Sequence, residues 1–268
     1  MSNHASWTEY FRQVPQRMQP LFENSRSVWT VLDRLKPYIR DNIKPNLPEG
    51  IKLGQPVETP IALLPGGWME DGFETVCNDD TRGKIQVWIE GEAVPEAAVI
   101  CAGAVFVDFR VEIGPGVIVE PGALLKGPII VGSNTEIRQG AYLRGDCLIG
   151  SGCVVGHTTE VKHSIFLDGA KAGHFAYIGD SILGNDVNLG AGTKLANLKF
   201  GPGSVKIKAD DGKIFDTGRR KIGAILGDKV QTGCNSVTNP GVFLGQASLV
   251  CPNSTVKPGL YKARTIIT

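Results

Sequence analysis

The sequence predicts an all-β protein: a parallel β-helix of six-residue repeats over the carboxy-terminal two-thirds, preceded by a small helical amino-terminal region. An aliphatic residue recurs at every sixth position through the middle of the chain. Glycine, 34 of 268 residues, exceeds its usual share of about 7%, and the excess falls after residue 100. The first 70 residues lack the repeat and carry a helical spacing instead.

The repeat runs from Val107 through Ile113, Val119, Leu125, Val131, Ile137, Leu143, Ile149, Val155 and Val161 to Leu167 without a miss. Glycine often follows at once, as in Ile113-Gly114, Val131-Gly132, Ile149-Gly150 and Val155-Gly156. The phase slips by one near Gly173, resumes at Ile178, slips again to Leu183, and continues through Leu189 and Leu195. It returns at Leu226, with Thr232, Thr238, Leu244, Val250 and Val256 in step. A period of six suits a short strand plus a tight turn, with one side chain inward per strand and glycine where positive φ or close packing is needed. One such unit cannot bury its apolar side alone, so it is stable only when stacked. Three flat sides make a coil of eighteen residues that rises by the strand spacing, about 4.8 Å. Residues i and i+18 then lie one above the other.

The remaining elements follow in chain order. A short helix is expected over Trp7 to Gln13. Polar Asn24-Ser25 precede Val28, Leu32, Leu35, Ile39 and Ile43, an amphipathic helix ending near Pro45 and Pro48. Helices of this kind act more often as a lid or an oligomer contact than as carriers of chemistry. Residues 51–72, with Pro56, Pro60, Pro65, Gly66 and Gly67, read as loop and short extended pieces. Lys84 to Glu90 is strand-like and opens the prism. The expected division is therefore a helical and irregular region 1–83, a β-helix 84–262 and a tail 263–268. Residues 197–223 interrupt the coil; alternation on both sides of Asp211-Gly212 predicts a β-hairpin there, and its basic end, Gly218-Arg219-Arg220-Lys221, is suited to an anion.

Composition narrows the function. The chain is 42% hydrophobic and 21% charged with net charge +1, which argues against a general nucleic-acid binder. No run approaches the roughly 20 apolar residues of a membrane span, and the amino terminus lacks the pattern of a signal peptide. Cys77, Cys101, Cys147, Cys153, Cys234 and Cys251 form no Cys-x-x-Cys pair and no His cluster has zinc spacing. The expectation is a cytoplasmic protein with reduced cysteines, no metal, no membrane and no nucleic-acid partner.

Stacking locates candidate chemistry. Arg144 and Lys162 are eighteen apart and each follows an inward aliphatic, so both project outward on one face. Two cations one strand spacing apart repel unless an anion joins them, and a guanidinium fork with a lysine point charge suits phosphate; an exposed pair fanning into water is the plain alternative. Close by, where the repeat first loses phase, His174 is a natural general base, with His157 and His163 as rivals.

These residues carry a resemblance. Glu160-Val161-Lys162, then Lys171-Ala172-Gly173-His174 with Tyr177 and Gly179-Asp180, then Asp186-Val187-Asn188-Leu189-Gly190-Ala191-Gly192-Thr193, resemble the acetyltransferase domain of the bifunctional N-acetylglucosamine-1-phosphate uridyltransferase family. The similarity covers about residues 107–262 and is most specific from Arg144 to Asn197. The Gly218–Lys221 loop looks more like relatives among sugar-1-phosphate nucleotidyltransferases with an appended amino-sugar acetyltransferase domain. The resemblance implies a left-handed coil, although ordinary crossovers are right-handed. It also implies a homotrimer with sites between subunits, and transfer of an acetyl group from acetyl-CoA to an amino-sugar 1-phosphate such as glucosamine-1-phosphate. Arg144, Lys162 and Tyr177 would hold the sugar phosphate, and His174 would take the proton of the attacking amine. Asn188 would bind the amino sugar, and Asn197 would orient the substrate or the reacting carbonyl across a subunit interface. Ala191, through its backbone, would meet acetyl-CoA, with Cys234 and Pro252 on the same acyl side. The chain departs from the family in several places. The uridyltransferase half and its glycine-rich motif are missing, so no nucleotidyl transfer is expected. An Asn-Tyr-Asp motif reads Asn197-Leu198-Lys199, a serine position is Cys234, and Pro252 has no N–H where the family offers one. Two rival readings stay open: a degenerate sugar-phosphate or sugar-nucleotide binding module, and a trimerisation scaffold.

Overall fold

From Ala98 onward strands of two to four residues alternate with tight corners, and each, apart from the hairpin strands Lys206–Lys208 and Ile214–Asp216, pairs in parallel with the strand one coil away. The computed structural model describes residues 6–23, 25–77, 85–209 and 212–268. Its three long sheets hold eleven, eight and eight strands and close a triangular prism of about nine turns, a left-handed parallel β-helix. In the eleven-stranded sheet, Ile61–Leu64 and Gly67–Met69 form an antiparallel hairpin laid on Ala98–Ile100. We call this sheet the capped face. The open face runs from Val105–Phe106 through Tyr142–Leu143, Glu160–Lys162 and Tyr177–Gly179 to Thr255–Val256. The third, the covered face, runs from Val111–Ile113 to Gly259–Tyr261.

Most of the predicted ladder points inward into one continuous core. Two positions do not. Phe106 takes the inward place expected of Val107, which is 37% exposed, and Phe166 takes that expected of Leu167. Coil length explains the shift. Phe106 pairs with Leu125, nineteen residues on; Leu125, Leu143 and Val161 follow at eighteen; Ile178 and Leu195 follow at seventeen. The first residue is lost between Val161 and Phe166, before Gly173, at the corner joining the open face to the covered face. The second loss, between Ile178 and Leu183, falls at the same corner.

Glycine after an inward aliphatic serves close approach, not turn strain. A Cβ on Gly156 would stand 1.8 Å from the Gly173 carbonyl oxygen of the next coil. Gly132, Gly150 and Gly156 all lack positive φ, which falls instead on residues such as Asn134, Thr158 and Phe175.

The covered face earns its name from the chain's own additions. Helix α1 (Gln19–Glu23) and helix α2 (Val31–Asn42) bury Leu21, Phe22, Leu32, Leu35 and Ile39 against outward Ile130, Leu148, Ile165, Ile182, Ile225 and Phe243. Each such fully buried side chain contributes about 1.5–3 kcal/mol of transfer free energy. The amphipathic helix is thus where its spacing predicts. The expected Trp7–Gln13 helix is only a 3-10 turn at Trp7–Glu9, while an unexpected helical stretch follows Pro15. Pro20 is tolerated there as the second residue of α1, because the Gln16 carbonyl that its missing N–H would have met already accepts from Gln19 N–H.

The interrupting hairpin pairs Lys206–Lys208 with Ile214–Asp216, Ile207 opposite Phe215, and Phe215 packs edge-on at 6.0 Å from Trp29. Asp210 and Asp211 of its turn, and Lys84, lie outside the described residues. Ile85–Ile89 belongs to a three-stranded antiparallel sheet with Glu74–Cys77 and Glu92–Val94, and the parallel stacking starts at Ala98–Ile100. At the far end Ile266–Ile267, within the segment expected to be a tail, adds a last strand to the capped face. Among the described residues no helix is long and apolar enough to cross a membrane.

Candidate functional site

The corner from the capped to the open face builds a straight column. His157 and His174 are parallel-strand partners. The His174 carbonyl then accepts from Gly192 N–H, the Ala191 carbonyl from Asn235 N–H, and the Cys234 carbonyl from Asn253 N–H. His174, Ala191, Cys234 and Pro252 therefore occupy equivalent positions in successive turns, with Pro252 seated directly on Gly233. His174 and Cys234 are exposed. Among the described residues the N–H groups of Ala191 and Cys234 donate to no protein acceptor. Phe175, in the left-handed region at φ +53 and 54% exposed, stands beside His174 and meets His157 edge-on at 5.2 Å. A bulky residue in that conformation is strained, and strain of this kind collects at functional sites. His157 is already engaged through Nδ1 with the Gln139 carbonyl at 3.0 Å, and His163 through Nε2 with the Leu32 carbonyl of α2 at 3.0 Å. His174 is the histidine left outward without a polar side-chain partner among the described residues.

The open face gathers the charged residues. The register Leu143 opposite Val161 stacks Arg144 on Lys162, as the spacing predicts. Both cations have carboxylate partners within the chain: Arg144 Nη1 lies 2.6 Å from Glu160 Oε1, and Lys162 Nζ lies 3.2 Å from Asp180 Oδ2. The repulsion between them is thus relieved by side chains of the same face. The Arg144 guanidinium also lies over the Tyr142 ring, 5.9 Å from its centroid. Tyr177 donates its hydroxyl to Asn197 Oδ1 at 3.3 Å, and Asn197 donates its amide to Asp180. Burial, then the Glu160 and Asp180 carboxylates, raise the Tyr177 phenol above its ordinary range, so it stays a hydrogen-bond donor at neutral pH. Asn197 is buried, with both ends of its amide in use.

The structure thus brings Arg144, Lys162, Tyr177 and Asn197 into one cluster and His174, Ala191, Cys234 and Pro252 into one column. The two sets are separated by the width of the open face, a strand of about three residues or 10 Å. Asn188 stands apart, exposed on the capped face between Lys171 and Gln231. Sequence reasoning missed Glu160, Asp180 and Arg219 as members of the cluster. Asp180 lies eighteen residues beyond Lys162, but the coil there is seventeen residues long, so the register partner of Lys162 is Gly179 and Asp180 reaches the lysine from the next position, at the corner. Arg219 was beyond any spacing rule, because its approach depends on how the inserted hairpin folds back. No three His, Cys, Asp or Glu side chains converge as a metal-holding group among the described residues.

A prism of six-residue repeats, with an outward histidine on a straight corner column, defines the hexapeptide-repeat solenoid class. Within that class the chain belongs to the family of the GMPPB C-terminal domain, whose profile matches residues 125–267. Over 92 residues it is 42% identical to a protein of Sulfurisphaera tokodaii described as a bifunctional sugar-1-phosphate nucleotidylyltransferase/acetyltransferase, covering 34% of this chain and 23% of that one. It is 37% identical over 98 residues to the bifunctional protein GlmU of Methanococcus vannielii, covering 37% of this chain and 23% of the relative. With the GlmU of Methanocaldococcus jannaschii it shares 38% identity over 81 residues, 30% of this chain and 19% of that one. The chain spans less than a quarter of the length of these curated relatives.

Proposed function

We propose that this protein is an acetyl-CoA-dependent N-acetyltransferase acting on an amino-sugar 1-phosphate such as glucosamine-1-phosphate. The observation that carries the reading is the corner column: an outward imidazole aligned with the free N–H groups of Ala191 and Cys234, at the edge of a cation-bearing face. Neutral His174 accepts a proton as the substrate amine attacks the thioester carbonyl. A C–N bond forms, the C–S bond breaks, and the proton passes to the leaving thiolate of coenzyme A. The free N–H groups along the column are suited to the tetrahedral oxyanion. Arg144, Lys162 and Tyr177 bind the phosphate, each exchanging a protein partner for it. The chemistry asks for no metal and no covalent enzyme intermediate.

Trimerisation belongs to the same reading. The covered face is occupied by α1, α2 and the inserted hairpin, whereas among the described residues no helix packs on the open face. A second protomer against that face would bring its own corner toward the phosphate cluster, joining the two sets of residues between subunits. Free thiols at the described cysteines suit a reducing compartment such as the cytoplasm.

The test is thiol release from acetyl-CoA in the presence of glucosamine-1-phosphate. His174→Ala is expected to keep its circular dichroism spectrum and lose about a hundredfold or more in kcat; near-wild-type turnover would remove His174 as the base. A second reading, a sugar-phosphate-binding module without turnover, is favoured by Pro252, which offers no N–H, and by the internal pairing of both cations. Calorimetry separates them: sugar phosphate bound without any binding of acetyl-CoA supports the module. Binding of neither ligand supports a scaffold.

A further inference from the structure

We infer that Arg219, carried in by the inserted hairpin, is a positioning residue that frees Lys162 to bind the substrate phosphate. The inference rests on the sugar-phosphate reading of the open face. Its centre is Asp180, 4% exposed and held at φ +47 on the corner between the open and covered faces. Two hydrogen-bond donors and one further cation share that carboxylate. Lys162 Nζ lies 3.2 Å and Asn197 Nδ2 2.5 Å from Oδ2, and Arg219 Nη2 lies 3.6 Å from Oδ1.

A buried carboxylate with one counter-ion does not release it readily, because the charge left behind is uncompensated in a poorly solvated place. If Lys162 were that single counter-ion, its ammonium would be committed to Asp180. Arg219 changes the balance. It supplies a second, permanent positive charge on the opposite oxygen, while Asn197 keeps its hydrogen bond to the first. Lys162, whose side chain is 28% exposed against 5% for Asp180, can then turn toward an anion on the open face with the carboxylate still compensated.

Arg219 itself is fixed. Its Nη1 pairs with Asp33 of α2, its Nε donates to the Lys221 carbonyl at 3.1 Å, and its side chain is 15% exposed. The base of the insertion is clamped beside it by the Leu198–Lys221 bridge and by Ile222 N–H donating to the Asn197 carbonyl. A guanidinium held by Asp33, Asp180 and a backbone carbonyl acts on the substrate through Lys162 rather than by direct contact.

The experiment uses the full chain, with the coupled thiol-release assay and calorimetry of glucosamine-1-phosphate. Arg219→Met is expected to raise KM for the sugar phosphate about tenfold while leaving kcat within about twofold. Adding Asp180→Asn to Arg219→Met removes the carboxylate that captures Lys162 and is expected to bring KM back to within about threefold of wild type. If Arg219 only braces the fold, the double variant stays as weak as the single one or loses kcat with it, and the inference falls. Asp33→Asn, at a side chain 49% exposed, loosens Arg219 without opening the core. It is expected to raise KM about threefold, and an unchanged KM in that folded variant also counts against the role. Wild-type protein that neither binds nor acetylates glucosamine-1-phosphate would overturn the sugar-phosphate reading itself. Wild type and Arg219→Met binding it equally would overturn the Arg219 role alone.

Discussion

Gly156 illustrates how little room a stacked coil leaves at the level of single residues. Its missing side chain makes space for the Gly173 carbonyl, so even one methyl group must push two coils apart. Gly156→Ala is expected to lower unfolding free energy by about 3 kcal/mol through overpacking, measured by chemical denaturation; a loss below about 0.5 kcal/mol would mean the coils yield freely. The cysteines test the opposite property, depth. Burial raises the Cys147 and Cys153 thiols to about 12, so the folded protein holds them protonated where the unfolded chain, near 9, would release the proton. A folded pKa above the unfolded one means stability present below about pH 9 and lost as the pH rises toward 12. At pH 8 a thiol reagent is expected to label exposed Cys234 in the native protein and to reach Cys147 and Cys153 only on unfolding. Rapid native labelling of either would contradict that packing.

Among the elements, α2 was the most legible outside the repeat. Val28, Leu32, Leu35 and Ile39 spelled one apolar stripe, and that stripe is what the covered face receives. Leu35→Ala is expected to destabilise the protein by about 2–5 kcal/mol. Hydrogen exchange would then show faster exchange in α2 while the inward ladder stays protected; unchanged exchange in α2 would deny its docking. The stretch beginning at Gln16 was illegible because it is short, starts after one proline and contains another, so neither length nor spacing announced it. The hairpin at 206–216 was readable from alternation alone, but its destination was not. Alternation specifies pairing between two strands, whereas the contact of Phe215 with Trp29 joins residues far apart in the chain.

For the whole molecule, period and register were readable because nearly every turn puts one branched or aromatic apolar residue inward per side, with Ala172, Thr232 and Thr238 as the exceptions. Chain length per turn was readable only in part: the slip from Ile178 to Leu183 showed in the sequence, whereas the first loss read as lying near Gly173 and falls between Val161 and Phe166. Val107 and Leu167 fit the spacing yet lost their places to Phe106 and Phe166, since a missing or extra corner residue leaves no mark in an apolar neighbourhood. The candidate site divided along the same line. Arg144 on Lys162 followed from arithmetic, while the carboxylates that neutralise them, and Arg219 behind Asp180, required knowledge of where side chains and an inserted loop turn.

Both shortened turns, and the inserted hairpin, fall at a single vertex of the triangle. The other two vertices are left as plumb lines, along which kinship in space ignores distance along the chain. Ala191 and Cys234 stand forty-three positions apart, yet they are adjacent on the same line. An insertion at the permissive vertex can therefore grow, shrink or change its cargo without displacing the imidazole at the neighbouring vertex, across the open face.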